Sequence, residues 1–125
     1  MQITVYYEDT DLGGVVYHSQ YLKFCERARS ELFFAKGKSP EMENGHLLAK
    51  SLKANYIKPA FFADTLDVKT ELLALRGASF TLLQSIYRGG EKIFEMRFKA
   101  VYLTYDGKVG RIDSAMRAML KSLKD

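Results

Sequence analysis

The feature that most constrains the fold of this chain is a single change in the spacing of its apolar residues. From Ser19 to Lys36 they recur at helical spacing, and beyond residue 45 they alternate with period two for about sixty residues. This alternation predicts four strands, over residues 47–58, 65–75, 80–87 and 93–105. One long helix beside a predominantly antiparallel sheet must pack on one face of that sheet, so the sequence predicts an α+β fold.

Turn and cap signals bound these elements. Gly89-Gly90 is a two-residue hairpin signal between the last two strands. Ser19 is a candidate N-cap of the long helix, and Gly37 is a candidate C′ residue at its other end. We also expect a first strand over residues 2–8, a polar loop over 38–45, and a terminal helix over 113–123 with Asp113 as its N-cap.

Size and composition indicate one globular domain over residues 1–125. The net charge of +4 is compatible with an anionic partner, but the lysines are scattered, which argues against a nucleic-acid binder. The single cysteine, Cys25, permits no internal disulfide and suits a reducing compartment. Residues 1–10 lack a signal-peptide pattern, and no apolar run approaches the ~20 residues of a membrane span, so we expect a cytoplasmic protein.

An acidic cluster and two glycines precede the long helix. Asp9 and Asp11 are followed by Gly13-Gly14 and then by Tyr17 and His18. This places a carboxylate beside the amino end of a helix, whose free N–H groups and positive dipole end can hold a developing negative charge. From the residues alone, however, an Asp two positions before a glycine pair is more often a turn former. A lone His near a helix start is likewise more often a structural hydrogen bonder.

Two runs in this region carry a family resemblance. The run DTDLGGVVYHSQYL over residues 9–22 and the run ERARSE over residues 26–31 resemble the hotdog-fold acyl-CoA thioesterases of the 4-hydroxybenzoyl-CoA thioesterase type. The pattern is most similar to the bacterial subgroup associated with the Tol-Pal envelope system. It continues more weakly through residues 56–59 and 76–80. The resemblance implies a hotdog fold, with a long antiparallel sheet curled around one central helix, and hydrolysis of acyl-CoA to a free acid and coenzyme A.

The resemblance also implies roles for the residues before the helix. Asp11 stands at the position of the family's catalytic carboxylate, which acts as general base on water or attacks the thioester directly. The backbone N–H of His18 is the expected oxyanion donor, and its ring is a candidate for orienting water or assisting the leaving thiolate. Gly14 and Tyr17 are the expected substrate-binding residues of this segment, with Tyr17 as a pocket wall.

Coenzyme A carries phosphates, so cations are expected near the mouth of the site. The resemblance places nucleotide contacts at Arg76 and Ser79, and Lys58 and Arg111 are further candidates. From the residues alone, each of these four is more often an ordinary surface residue. The acyl tail would lie against the long strands and a facing subunit. Because the outer face and edges of the sheet need covering, we expect a homodimer or a dimer-of-dimers tetramer.

Several alternatives remain open from the sequence. Glu26 is expected to form an ion pair with Arg27, Arg29 or a neighbouring strand, with a substrate-orienting role as the minority view. No cofactor motif occurs, and the two histidines and Cys25 lack metal-ligand spacing, so we expect neither cofactor nor metal. Cys25 is expected to be an inert core thiol on the apolar stripe of the long helix. This stripe comprises Tyr21, Phe24, Cys25, Ala28, Leu32 and Ala35, and Leu22, Phe33 and Phe34 widen it. A non-catalytic module that binds acyl carriers or envelope proteins is the alternative function, and the acyl group and its carrier, coenzyme A or acyl carrier protein, are not specified.

Overall fold

The computed structural model describes residues 1–39, 41–42 and 44–123, with the side chain of residue 42 left aside. Its strands, in chain order, are β1 (Gln2–Thr4), β2 (Glu41–Met42), β3 (Gly45–Tyr56), β4 (Thr65–Leu75), β5 (Ser79–Arg88) and β6 (Glu91–Thr104). Its helices are α1 (Gln20–Ala35) and α2 (Ser114–Lys121). The strands form one antiparallel sheet in the order β1-β4-β5-β6-β3-β2, which confirms the predicted α+β class.

The long helix α1 lies against one face of this sheet. Its predicted stripe is buried at Tyr21, Phe24, Cys25 and Ala28, and the Tyr21 ring stacks on Phe94 of β6 with 5.1 Å between ring centroids. The stripe is narrower than expected at the carboxyl end of the helix, where Phe33 is buried and Phe34 and Ala35 are exposed.

The carboxyl end of α1 closes as predicted. The Lys38 N–H donates to the Phe33 carbonyl at 2.8 Å, and the Gly37 N–H donates to the Phe34 carbonyl at 3.0 Å. Gly37 has φ of 67°, the left-handed conformation that this closure requires and that glycine adopts without a Cβ penalty.

The four long strands and the hairpin are confirmed. Gly89 and Gly90 both have positive φ, as a two-residue type I′ turn requires, and they join β5 to β6. Along β6 the inward side chains are buried at alternate positions: Phe94, Met96, Phe98, Ala100 and Tyr102.

Three local predictions need correction. The first strand ends at Thr4, because Tyr7–Asp9 form a 3-10 turn that the buried Asp9 side chain stabilises. The predicted loop over 38–45 contains the short strand β2, and its residues 40 and 43 lie outside the described part of the chain. Finally, the terminal helix is shorter than predicted and ends at Lys121.

A buried polar network fixes α1 on the sheet. Gln84 of β5 is fully buried, and its amide donates to the Cys25 carbonyl at 2.9 Å while its oxygen accepts from Arg29 Nη1 at 2.7 Å. The Arg29 guanidinium also lies 3.8 Å from the centre of the Phe98 ring. Burial raises the pKa of the Cys25 thiol to about 12, which agrees with an unreactive core cysteine.

Candidate active site at the start of α1

The segment before α1 is a tight loop that closes on itself. Thr10 and Val16 form an antiparallel bridge, and the Asp11 N–H donates to the Val15 carbonyl at 2.9 Å. The Gly14 N–H donates to the Asp11 carbonyl at 3.1 Å, with Gly14 at a φ of 78° that other residues resist. The loop therefore carries Asp11 at its tip, on the leg opposite the one that leads into the helix.

The two neighbouring aspartates occupy opposite environments. Asp9 is only 2% exposed, and its carboxylate accepts hydrogen bonds from the Tyr6 N–H at 2.9 Å and from Gln20 Nε2 at 2.8 Å. Asp11 is exposed, and its one recorded partner among the described residues is the Gly13 N–H, which donates to Oδ1 at 2.8 Å. Asp9 is thus committed to holding the loop, whereas Asp11 keeps most of its acceptor capacity for a ligand.

The amino end of α1 keeps a free donor. Ser19 occupies the N-cap position, yet its side chain makes no capping hydrogen bond. The Gln20 N–H donates to the Tyr17 carbonyl at 2.9 Å, whereas the His18 N–H donates to no acceptor in the described part of the chain. This N–H lies where the positive end of the helix dipole concentrates, so it can stabilise negative charge on a ligand.

A cavity of about 260 Å³ opens beside this helix start. Its lining combines residues of the loop and α1 with the end of β3 and the segment that follows it: Val16, His18, Tyr21, Tyr56, Ile57, Lys58 and Pro59. The predicted residues His18 and Lys58 therefore share one cavity. The Lys58 ammonium donates to Glu91 Oε2 at 2.6 Å and lowers the pKa of that exposed carboxylate. Lys58 is thus ion-paired, although both partners are accessible to solvent.

The other predicted substrate-binding residues form a separate group. The Arg76 N–H donates to the Ser79 carbonyl at 2.8 Å across the turn between β4 and β5. Arg111 Nη1 lies 3.4 Å from the position that a Cβ on Gly77 would occupy, so this guanidinium covers the same turn. Residues 60–62, a few positions before β4, bond to the loop around Asp11, whereas Arg76 follows the other end of β4. The ten steps along β4 span about 33 Å, so a single chain does not bring Arg76, Ser79 and Arg111 to Asp11.

The structure also shows contacts that the sequence did not predict. The Tyr56 hydroxyl donates to the His18 carbonyl at 2.8 Å, and Gln20 links the start of α1 to Asp9. Tyr56 stands at the start of the weaker resemblance over residues 56–59, which is the one signal that could have singled it out. Gln20 carries no such signal.

Glu26 departs from its predicted ion pair. It is exposed and forms no ion pair with any residue in the described ranges. Burial lowers the pKa of Arg29, and the charge of Glu26 offsets a small part of that lowering. Glu26 and Arg29 instead line a second cavity of about 180 Å³ between α1 and the sheet.

Comparison with known proteins agrees with this geometry. Residues 13–95 match the family model described as thioesterase superfamily, and the chain belongs to that superfamily. The crystal structure of a probable thioesterase from Bartonella henselae is 32% identical, with a TM-score of 0.83 over 90% of this chain and 97% of that one. The α+β arrangement is therefore a hotdog fold, as predicted.

Two curated relatives extend the comparison. The acyl-CoA thioesterase YbgC of Helicobacter pylori (strain ATCC 700392 / 26695) is 48% identical over 87 residues, which cover 70% of this chain and 65% of that protein. The match thus spans slightly less than two thirds of that relative. A putative esterase of Aquifex aeolicus is 30% identical over 124 residues, which cover 97% of this chain and 94% of its own length.

No described helix has the length and apolar character that crossing a membrane requires. Within the same residues, no three His, Cys, Asp or Glu side chains cluster in a way that could hold a metal ion.

Proposed function

We propose that this protein is an acyl-CoA thioesterase, which hydrolyses acyl-CoA to a free acid and coenzyme A. The observation that carries the proposal is the pairing, within one loop, of the exposed Asp11 carboxylate and the His18 N–H at the helix start. Among the described residues, the carboxylate has no cation partner and the N–H has no acceptor. The likeness to a protein named acyl-CoA thioesterase supports the same activity.

Asp11 is the proposed reactive group. As a general base it would take a proton from water while the water oxygen attacks the thioester carbonyl, and collapse of the tetrahedral intermediate would expel the coenzyme A thiolate. As a nucleophile it would form an acyl anhydride and release the thiolate first, and water would then cleave the anhydride. The glycine-rich loop leaves Asp11 exposed and accessible for either route.

The His18 N–H is the proposed oxyanion donor. Negative charge develops on the carbonyl oxygen in both routes, and a donor fixed at a helix start lowers the barrier without reorganisation, by roughly 3–4 kcal/mol in comparable sites. The His18 ring is exposed and stands 4.4 Å from the Tyr17 ring, centre to centre. We propose that these two rings, with Gly14 beside them, line the path of the substrate, and that the His18 ring assists protonation of the leaving thiolate.

We further propose that the complete site is assembled by two copies of the chain. Beyond His46, no described strand pairs with the outer edge of β3. The side chains of Leu48, Leu52 and Tyr56 on this strand are 40%, 47% and 46% exposed. Such an edge favours pairing with a second strand. Ser79 and Leu48 both pair with Val101 of β6. The turn at Arg76 therefore lies near the Gly45 end of β3, and Tyr56 lies at the other end of that strand.

Antiparallel pairing of two β3 strands about a two-fold axis would join these separated ends. The Gly45 end of one strand would lie beside the Tyr56 end of the other. Arg76, Ser79 and Arg111 of the partner subunit would then approach the cavity that holds His18 and Lys58, where their cations and hydroxyl would bind the nucleotide of coenzyme A. A dimer of such dimers, a tetramer, would also cover the outer face of the sheet.

The assembly is tested by light scattering on the intact chain. We expect the mass of a dimer or tetramer, and we expect Leu52→Glu, which places a charge on the proposed interface, to give monomers with little activity. Leu73→Glu changes a leucine on β4 that is 42% exposed, against 47% for Leu52, and serves as the control for the β3 dimer. A monomeric wild-type protein with full activity would contradict the two-chain site.

We assign the protein to the Tol-Pal-associated subgroup and to the cytoplasm as part of the same proposal. The long run over residues 9–22 supports the subgroup. A single cysteine, buried and unpaired, supports a reducing compartment.

Replacing Asp11 by Asn tests the activity itself. Asn keeps an oxygen for the Gly13 N–H but is neither a base nor a carboxylate nucleophile, so kcat/KM on a panel of acyl-CoAs should fall at least ~100-fold. Glu8→Gln removes a nearby exposed carboxylate and should stay within twofold of wild type. Activity of Asp11→Asn within threefold of wild type would refute the role of Asp11. Binding of an acyl carrier without turnover by wild type would favour the non-catalytic alternative.

A further inference from the structure

Tyr56, at the carboxyl end of β3, is tied to the start of α1. Its ring packs edge-on against Phe94 and Tyr21, with centroids 5.0 Å and 5.4 Å away. This packing directs the hydroxyl to the His18 carbonyl, to which it donates at 2.8 Å. The same side chain lines the cavity beside the helix start. Tyr56 therefore joins a rigid strand to the residue whose N–H is the proposed oxyanion donor.

Two consecutive peptide groups at this point are held by hydrogen bonds. The group between Tyr17 and His18 has its carbonyl bound by the Gln20 N–H at 2.9 Å, and the next group has its carbonyl bound by the Tyr56 hydroxyl. The His18 N–H belongs to the first group and is left without a partner in the described part of the chain. Both rotations at His18 are thus restrained, and a carbonyl that accepts a hydrogen bond makes the N–H of its own peptide group a stronger donor.

The phenol is suited to remain a donor. Desolvation by burial is the largest effect that raises the pKa of Tyr56, and Tyr21 and Cys25 add to it. The hydroxyl therefore stays protonated throughout the neutral range, where its donation to the His18 carbonyl persists.

We propose that Tyr56 is a positioning residue for thioester hydrolysis: its hydroxyl fixes the His18 backbone so that the N–H is aimed into the cavity before substrate arrives. The inference rests on the proposed function. A donor aimed at the oxyanion acts mainly in the transition state, so loss of its alignment lowers kcat and leaves KM nearly unchanged. A tyrosine that merely formed a cavity wall would change KM instead.

Tyr56→Phe removes the hydroxyl and keeps the ring that packs on Phe94 and Tyr21. We expect kcat on the best acyl-CoA of the panel to fall about tenfold, with KM and inhibition by free coenzyme A within twofold of wild type. Tyr87→Phe removes a phenol on β5, whose ring centre lies 4.9 Å from the Lys69 ammonium, and it should leave both constants unchanged. A kcat within twofold of wild type, or a rise in KM alone, overturns the inference.

Amide hydrogen exchange separates this inference from the proposed function. In Tyr56→Phe the Gln20 amide, which closes the turn onto Tyr17, should exchange at least ~5-fold faster, while amides in the middle of β5 keep their protection. Unchanged exchange at Gln20 refutes positioning by Tyr56 whether or not the protein is active. If wild type hydrolyses no thioester, the proposed function fails, and the catalytic part of this inference fails with it.

Discussion

The two helices of this protein begin in opposite ways. At α2, Asp113 accepts the Met116 N–H at 2.8 Å and closes the first turn. At α1, Ser19 stands in the equivalent position but makes no capping hydrogen bond. The N–H of the neighbouring His18 has no acceptor among the described residues. A helix start that is left open in front of a cavity can bind a ligand, whereas a capped start contributes to stability alone.

Backbone conformation explains the difference. Asp113 is extended, with ψ of 168°, which brings its side chain back over the first turn. Ser19 is already helical, with ψ of −19°, so its hydroxyl does not reach the N–H groups that a cap would satisfy. The residue type at Ser19 is right for capping, and its backbone conformation prevents it.

Of the changes that test this contrast between the two helix starts, Ser19→Asp should have the largest effect, and it should act on catalysis. A carboxylate at the open start of α1 would oppose the negative charge that develops beside it, so we expect kcat/KM for acyl-CoA hydrolysis to fall about tenfold. Ser19→Asn has nearly the same shape without the charge and should stay within twofold. Equal losses in the two variants would mean that shape, and not charge at the helix start, limits the reaction.

Asp113→Ala should have the next largest effect, on stability and not on kcat. Removing the cap of α2 leaves the Met116 N–H without its acceptor and should lower the free energy of unfolding by about 1 kcal/mol, measured by urea denaturation. kcat should not change, because α2 lies at the Arg76 turn, at the end of β4 opposite the loop that carries Asp11. Asp113→Asn keeps an acceptor and should recover most of the lost stability.

Gly37→Ala should have the smallest effect. Apart from its two chain neighbours, no described residue has an atom within 4 Å of the Cβ that this change adds, so the cost comes from the positive φ of 67°. We expect a loss of about 0.5–1 kcal/mol in the free energy of unfolding, because alanine resists this conformation but also restricts the unfolded chain. A gain in stability would show that the closed end of α1 tolerates a side chain.

Most of the secondary structure could be predicted from the sequence, because it depends on local periodicity. The alternation along β6 and the glycine pair at 89 and 90 placed a strand and its turn to within two residues. The end of β1 was predicted wrongly, because the Tyr6 N–H donates a hydrogen bond to the Asp9 side chain and residues 7–9 form a 3-10 turn. Such a local side-chain bond competes with strand pairing and leaves the apolar pattern unchanged.

The residues predicted for the candidate site lie in two separate groups in the structure. The resemblance selected Asp11 and His18, which the structure places on the two legs of one loop, and Lys58, which shares a cavity with His18. It also selected Arg76, Ser79 and Arg111, which lie together at the other end of β4 in the same chain. A motif records which residues take part but carries no information on how far apart one chain holds them.

By itself, the sequence determined the order of the elements, the buried stripe of α1 and the residues of the loop before it, since each follows from local spacing and turn chemistry. Only the tertiary structure decided that the Asp9 carboxylate accepts a hydrogen bond from Gln20 while Asp11 remains exposed. It also decided that the Tyr56 hydroxyl donates to the His18 carbonyl, 38 residues away in sequence. The physical reason is that hydrogen-bond partners distant in sequence are selected by the packing of the sheet against α1, to which local propensity contributes nothing.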